Sequence, residues 1–266
     1  MRVGSSTEGL SDELVVCTLD RPDEVVRCLD SVARQTRLPT SVRVVDASTD
    51  GATRTAVESY GVETVRERLV YQHAERGLTR QRNAGVRSRH SDIVHFVDDD
   101  CVLDPHHLEA IVSLFEADEP GELLGVGGMI VNLSHGPAPL TKRLLMLDGD
   151  RPGHVLPSGR NQPTVALASP VDSDWLSGRA MSLRREVFGV QVFDERCGRD
   201  RGDVPGVRDE VLAVGGHLET ADRAAMMHLQ GGVKGRDNQS CSRHWKSYLR
   251  LTASFETRTV TDVQPS

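Results

Sequence analysis

No stretch of the chain approaches the roughly 18 consecutive apolar positions that a membrane span requires. The opening residues MRVGSSTEGLSDE carry no apolar run behind their one early Arg, as a secretory signal would. The expectation is a cytoplasmic protein without transmembrane anchoring. Aromatic residues are scarce, at 4%, and positive charge is not in excess: 32 Lys plus Arg stand against 39 Asp plus Glu, a formal charge of −7. A dedicated nucleic-acid binder would show a basic domain with interleaved aromatics, so that class is excluded. The five cysteines, Cys17, Cys28, Cys101, Cys197 and Cys241, form no CxxC pair and have no clustered histidines beside them. Their spacing excludes a zinc site of the usual kind, and their odd number excludes a complete disulfide framework, so they are expected as reduced, mostly buried thiols. Internal repeats and low-complexity tracts are absent as well. With 38% hydrophobic and 27% charged residues among 266, what remains is an ordinary globular composition large enough for a sizeable core.

From residue 13 the pattern alternates as a parallel sheet with crossover helices requires. Leu14-Val15-Val16-Cys17 predicts a strand that ends in the loop Thr18-Leu19-Asp20-Arg21-Pro22. Asp23 then opens a helix with Val25, Val26, Leu29, Val32 and Ala33 on one face. Val42 to Val45 predicts a second strand, followed by the turn and capping residues Asp46 to Gly51 and a further helix. Val62 to Tyr71 is a weaker strand candidate, Leu78 to Arg89 a helix, and Ile93 to Val97 a fourth strand running into Asp98-Asp99-Asp100. Asp104-Pro105 opens a helix carrying Leu108, Ile111, Val112 and Leu114, and Gly125 to Val131 reads as a strand. The stretch 134–171, rich in Pro, Gly and His, reads as a surface excursion. Beyond it the expectations are a short strand around Trp175, a turn at Phe193-Asp194-Glu195, a helix near 206–214, strands near 217–227 and a last helix over about 240–256.

Three constellations could carry chemistry. Asp98-Asp99-Asp100 ends a buried strand, where ligands of open parallel sheets bind. Packed like charges need a compensating cation, and hard carboxylate oxygens suit Mg²⁺ or Mn²⁺ bridging to phosphate; a solvated acidic turn would look the same. Gly77-Leu78-Thr79-Arg80-Gln81-Arg82-Asn83-Ala84-Gly85 begins a helix with free backbone N–H groups and guanidinium groups that could converge on an anion, or is a solvated basic helix face. Asp46 at a strand end can accept hydrogen bonds from a nucleobase or ribose, or can cap the next helix.

Taken in order, Leu14 to Pro22, Val45-Asp46-Ala47-Ser48-Thr49-Asp50, Gly77 to Gly85 and Phe96-Val97-Asp98-Asp99-Asp100 resemble the N-terminal half of a family 2 glycosyltransferase with the GT-A fold. The resemblance is strong over residues 13–110. Gly178-Arg179-Ala180-Met181-Ser182-Leu183-Arg184-Arg185 and Phe193-Asp194-Glu195-Arg196 resemble the family's acceptor-side segment, with Ala180 where an Asn is common. The likeness continues, fainter, to about residue 250.

The resemblance implies an α/β fold with a mostly parallel central sheet, occupying residues 13–257 between tails 1–12 and 258–266. Its nucleotide-sugar half would be 13–132 and its acceptor half 133–257. It also implies a nucleoside-diphosphate sugar donor, with uracil the leading base, and Mn²⁺ or Mg²⁺ as cofactor. Thr18, Asp46, Arg82, Asp98 and Asp99 would contact the donor nucleotide; Asp100 and His228 would hold the metal. Trp175 and Gly178 would line the acceptor or donor-sugar side. Asp203 matches the general base of the inverting reaction, although Gly202 replaces the acid that usually precedes it, and Asp209 and Glu210 stand a few residues on. The Gln-x-x-Arg-Trp motif of processive synthases is missing, which implies a single-transfer hexosyl- or N-acetylhexosaminyltransferase acting on a soluble acceptor. A catalytically degenerate nucleotide-sugar binder and a receiver-like signalling domain are the alternatives. The late basic segment Lys234, Arg236, Arg243, His244, Lys246 and Arg250 is a solvated face, a diphosphate-closing loop at Lys234 and Arg236, or a docking patch for an acceptor-bearing carrier protein.

Overall fold

A computed structural model of the chain describes residues 9–87, 91–118, 121, 123–130, 141, 149, 151–158, 162, 171–190, 193, 195 and 217–228. Among these residues the elements in chain order are β1 (Asp12–Thr18), α1 (Pro22–Ala33), β2 (Ser41–Asp46), α2 (Ala52–Glu58), α3 (Glu63–Arg66), β3 (Leu69–His73) and α4 (Leu78–Val86). They continue as β4 (Ile93–Asp98), β5 (Cys101–Leu103), α5 (His107–Ala117), β6 (Leu123–Ile130), β7 (Val171–Asp172), β8 (Ala180–Arg184), α6 (Val187–Val190) and β9 (His217–His228).

The unbroken apolar run of β1 is buried on both faces, as a strand sandwiched between helices must be. Successive side chains alternate across the sheet. Leu14 and Val16 pack with Val25, Cys28, Leu29 and Val32 of α1, while Val15 and Cys17 join Val86, Phe96, Met181 and Phe193 on the α4 side. Gly85 lets α4 sit this close, because a Cβ there would lie 2.6 Å from Val15 Cγ1. A third apolar cluster, of Ile93, Ile111, Val112, Phe115, Leu123 and Val126, seats α5.

The strands form one mixed sheet in the order β3-β2-β1-β4-β8-β6-β9-β5, with β7 also pairing β9. Neighbours from β3 to β4 are parallel; β8 runs antiparallel to both β4 and β6, and β6 is parallel to β9.

The expected α/β class and the first four strands are present. Several local expectations are corrected. Residues 62–71 are not one strand: Glu63–Arg66 makes a helical turn that buries Val65, and β3 begins only at Leu69. The helix after the acidic run begins at His107 rather than at Asp104-Pro105, because Cys101–Leu103 first forms β5 against β9 and Asp104 accepts the His106 N–H at 3.0 Å. Trp175 lies in the loop between β7 and β8, not in a strand. Residues 217–228 are a single strand. Cys17, Cys28 and Cys101 are free and buried, and burial raises all three thiols above their ordinary value. Cys197, Cys241 and the helices expected near 206–214 and 240–256 lie outside the described residues.

Toward the amino-terminal end of β1 the sheet carries a buried polar network. Asp12 Oδ1 accepts from the Thr40 N–H at 3.0 Å and the Thr40 hydroxyl at 3.1 Å. Asp12 Oδ2 lies 3.3 Å from His95 Nε2, and His95 Nδ1 lies 2.7 Å from Ser182 Oγ. An ionised carboxylate only accepts, so His95 directs an Nε2–H at Asp12. The constellation of serine, histidine and aspartate is wholly buried and ties β1, β4 and β8 together. Burial alone would raise the Asp12 pKa, but the hydrogen bond and charge of His95 and the Thr40 contacts outweigh it and hold the group below its ordinary 3.8. A depressed carboxylate stabilises the fold above its unfolded pKa and loses that contribution as pH falls through the folded one. Asp12→Asn is therefore expected to cost about 1–3 kcal/mol near neutral pH. In urea titrations the gap between variant and wild type should close as pH drops below 3.8; a gap that stays constant to low pH contradicts the assignment.

Candidate active site

The carboxyl ends of β2, β1 and β4 lie side by side, with Thr18 in register with Asp46 and Cys17 with Asp98. The chain leaves β1 toward β2 on one side while β4 lies on the other. This reversal opens a crevice at the ends of β1 and β4, the place where ligands bind in open α/β sheets. The Thr18 hydroxyl spans that crevice and donates to Asp99 Oδ2 at 2.7 Å. Arg21, the residue preceding Pro22 at the start of α1, reaches Asp99 Oδ1 at 3.2 Å and Asp100 Oδ2 at 3.5 Å. Burial pushes the Asp99 carboxyl up to about 6; Asp98 and Asp100 add to the rise, while the Thr18 hydrogen bond and the Arg21 charge oppose it.

Asp98 presents the most exposed side chain of the three acids, at 29%, and meets Arg82 Nη2 at 3.5 Å. Arg82 does not lie on a solvated helix face. Its guanidinium is buried between Phe96 and Phe193, 5.8 Å and 5.7 Å from their ring centroids, and donates to the Gly178 carbonyl at 2.8 Å. A side chain at Gly178 would press on that guanidinium, since a Cβ there would lie 2.9 Å from Arg82 Nη2. Arg82, Asp98 and Gly178 are thus brought together by α4, β4 and the loop before β8.

Asp46 is completely buried. Its Oδ1 accepts from the Ser48 N–H at 2.9 Å and from the Ser48 hydroxyl, and its Oδ2 accepts from the Tyr71 hydroxyl at 2.9 Å. In this arrangement it holds the turn after β2, and it is not the cap of α2, whose N-cap position is Gly51 with no side-chain bond. Trp175 donates its indole N–H to the Gln162 carbonyl at 3.2 Å, which sets the ring on the loop between β7 and β8. The backbone of His228, the last residue of β9, is in register with Cys101, directly after Asp100. Asp203, Asp209, Glu210, Lys234 and Arg236 lie outside the described residues.

Four residues of the site were not singled out from the sequence. Ser48, besides bonding Asp46, accepts the Asp20 N–H at 2.8 Å and so pins the loop after β1, where Asp20 adopts a φ of 55°. Gln81 donates to the carbonyls of Thr18 and Val45 at 2.8 and 2.9 Å, joining the ends of β1 and β2. Asn83 accepts the Phe193 N–H at 2.9 Å and donates to the Phe193 carbonyl at 2.8 Å and to Glu195 Oε1 at 2.9 Å. Arg21 was visible only as part of a loop. The signal for Gln81 and Asn83 was their place in the run 77–85, two amides on what becomes the buried face of α4.

Glycosyl transferase family 2 matches residues 13–146, half of the sequence. The chain belongs to that family. The acids that begin at Asp98 therefore sit on a glycosyltransferase sheet, and the receiver-like alternative is set aside. Among solved structures, GalNAc-T7 with UDP, GalNAc and Mn²⁺ superposes with a TM-score of 0.63 at 15% identity, covering 92% of this chain and 48% of that one. The mannosyltransferase PcManGT from Pyrobaculum calidifontis, in complex with GDP-Man and Mn²⁺, gives 0.57 at 18% identity, covering 97% and 67%. TarS of S. aureus gives 0.60 at 15% identity, covering 95% and 41%. The chain spans about half the length of the GalNAc-T7 structure. At these identities the likeness shows the fold, which is GT-A. No curated protein sequence matches the chain. No helix among the described residues is long and apolar enough to cross a membrane.

Asn83→Ala removes three hydrogen bonds to the 193–195 segment that helps enclose Arg82. A loss of about 2–3 kcal/mol in chemical denaturation is expected, from unsatisfied buried backbone groups, with faster hydrogen exchange at the Phe193 amide. Wild-type stability and exchange in the variant would show that this tether does not hold the site.

Proposed function

We propose that the chain transfers one sugar from a nucleoside-diphosphate sugar, with UDP the leading carrier, to a hydroxyl or amine of a soluble small-molecule or carrier-bound acceptor. The observation that carries the reading is the crevice between β1 and β4: a family 2 glycosyltransferase sheet whose reversal point holds three consecutive carboxylates, Thr18 and two guanidinium groups. The UDP and GDP-Man bound by the superposed glycosyltransferases support this choice of donor class.

The donor set fits a hard divalent ion. Asp98 and Asp100 offer carboxylate oxygens at a strand end, and with no group of three His, Cys, Asp or Glu side chains among the described residues arranged to hold an ion, the protein alone would bind one only weakly. That is the situation in which substrate phosphate oxygens complete the coordination of Mg²⁺ or Mn²⁺. Asp100 would hold the ion, with His228 at the end of β9 as its partner. Bound there, the ion would neutralise charge growing on the departing diphosphate.

The remaining work falls to the chain's own groups. Asp98 and Arg82 frame the nucleotide side, with Asp99 and Thr18 beneath it and Asp46 toward the base. Trp175 and Gly178 line the acceptor or donor-sugar side. Asp203 takes the acceptor proton as the acceptor atom bonds to the anomeric carbon from the face opposite the leaving group. The bond from that carbon to the diphosphate oxygen breaks, the nucleoside diphosphate departs, and configuration inverts. Lys234 and Arg236 would close over the diphosphate.

Thermal unfolding with UDP or GDP, each with and without Mn²⁺, tests the donor side. A nucleotide and Mn²⁺ together are expected to stabilise the fold by about 2.7 kcal/mol at a free ligand concentration of 100 times Kd. Asp100→Ala should lose the Mn²⁺-dependent part. If no nucleoside diphosphate shifts the transition in the presence of Mn²⁺, the reading is wrong. For the chemical step, Asp203→Asn is expected to lower turnover about 10²–10⁴-fold with nucleotide affinity preserved; near-normal turnover would remove Asp203 from the role.

A further inference from the structure

We infer that Arg21 is a resident counter-ion for the strand-end acids, which gives up Asp100 when a divalent ion arrives and turns to the donor diphosphate. The inference rests on the metal-dependent donor reading above. A single nitrogen, Nη1, serves both carboxylates, at 3.2 Å from Asp99 Oδ1 and 3.5 Å from Asp100 Oδ2. A guanidinium fixed for good normally engages a carboxylate with two parallel N–H bonds. This one is shared, and its longer arm points at the acid that would carry the ion. The Arg21 side chain is 40% exposed, whereas those of Asp99 and Asp100 are 7% and 12% exposed, so the cation covers the two acids from the solvent side.

The backbone beneath it is fixed, while the head group is held through one nitrogen. The Arg21 carbonyl accepts the Val25 N–H at 3.2 Å as α1 begins, and the preceding residue is held by Ser48. Asp99 keeps the Thr18 hydroxyl when the guanidinium leaves, so release strands no buried carboxylate. A divalent ion held by Asp100 would repel the neighbouring guanidinium, and the phosphate oxygens of a donor are groups that Arg recognises well. Before the donor binds, Arg21 spares the sheet the self-repulsion of three acids; afterwards the same side chain has a new anionic partner on the open side of the crevice.

This handover makes two affinities move in opposite directions when the charge is removed. In Arg21→Gln, Mn²⁺ alone, followed by the electron paramagnetic resonance signal of the free ion, is expected to bind about five- to tenfold tighter, the effect of one partly screened competing charge. UDP at saturating Mn²⁺, measured by calorimetry, should bind about five- to tenfold more weakly, the loss of one charge-assisted contact. Arg21→Lys keeps the competing charge, and its Mn²⁺ affinity should stay within about twofold of wild type. Weaker or unchanged Mn²⁺ binding in Arg21→Gln, or unchanged UDP binding, overturns the inference while leaving the donor reading intact, provided wild type binds both. Failure of wild type itself to take up Mn²⁺ with UDP overturns the donor reading and this inference with it.

Discussion

Three carboxylates in a row at the end of a buried strand repel one another, and the ends of β1, α1 and α4 bring their partners to them. Asp98, Asp99 and Asp100 stay close together, because β4, clamped between β1 and β8, ends at Asp98 and the other two follow in the turn to β5. The fold compensates them from three directions: a hydroxyl from the end of β1, a guanidinium from the start of α1, and a second guanidinium from α4. Burial, with a smaller push from Asp100 and Asp98, makes Asp99 hold its proton more readily than an ordinary carboxylate. A surplus of negative charge beside two cations is what a site for a metal and a diphosphate requires.

The two guanidinium groups differ in a way that matters for function. Arg82 is enclosed by aromatic rings and a backbone carbonyl, and the missing side chain at Gly178 leaves the space that its guanidinium fills. It acts as part of the wall. Arg21 sits over the acids from the solvent side and is held by one shared nitrogen. A rigid cation defines where charge is allowed, while a loosely held one can be exchanged. The amides of Gln81 and Asn83 belong to the first kind: they tie strand ends and the 193–195 segment to α4, so that the crevice keeps its shape.

Much of this was legible in the residue order. The run Leu14 to Cys17 could be read as a doubly buried strand because no polar residue interrupts it, and the acids at 98–100 could be placed at a strand end because the apolar run stops there. Position 62–71 misled for a related reason: Val62, Val65 and Val70 suit a strand, but only Val65 and the strand from Leu69 onward find buried partners, and one helical turn satisfies Val65. Asp46 shows the limit more sharply. A carboxylate after a strand can face a ligand or its own turn, and nothing local announces Tyr71, 25 residues away, whose hydroxyl donates to its second oxygen.

By itself, then, the amino-acid order determined the α/β class, the family and the position of the acidic strand end, since these depend on local periodicity and on short motifs. Which side chains face the crevice was decided only by tertiary structure. Arg21 and Arg82 are chemically alike and close in kind along the chain, yet one ends over the acids in partial contact with water and the other is walled in by Phe96, Phe193 and Gly178. That difference comes from contacts between residues up to 111 positions apart, and no local pattern encodes it.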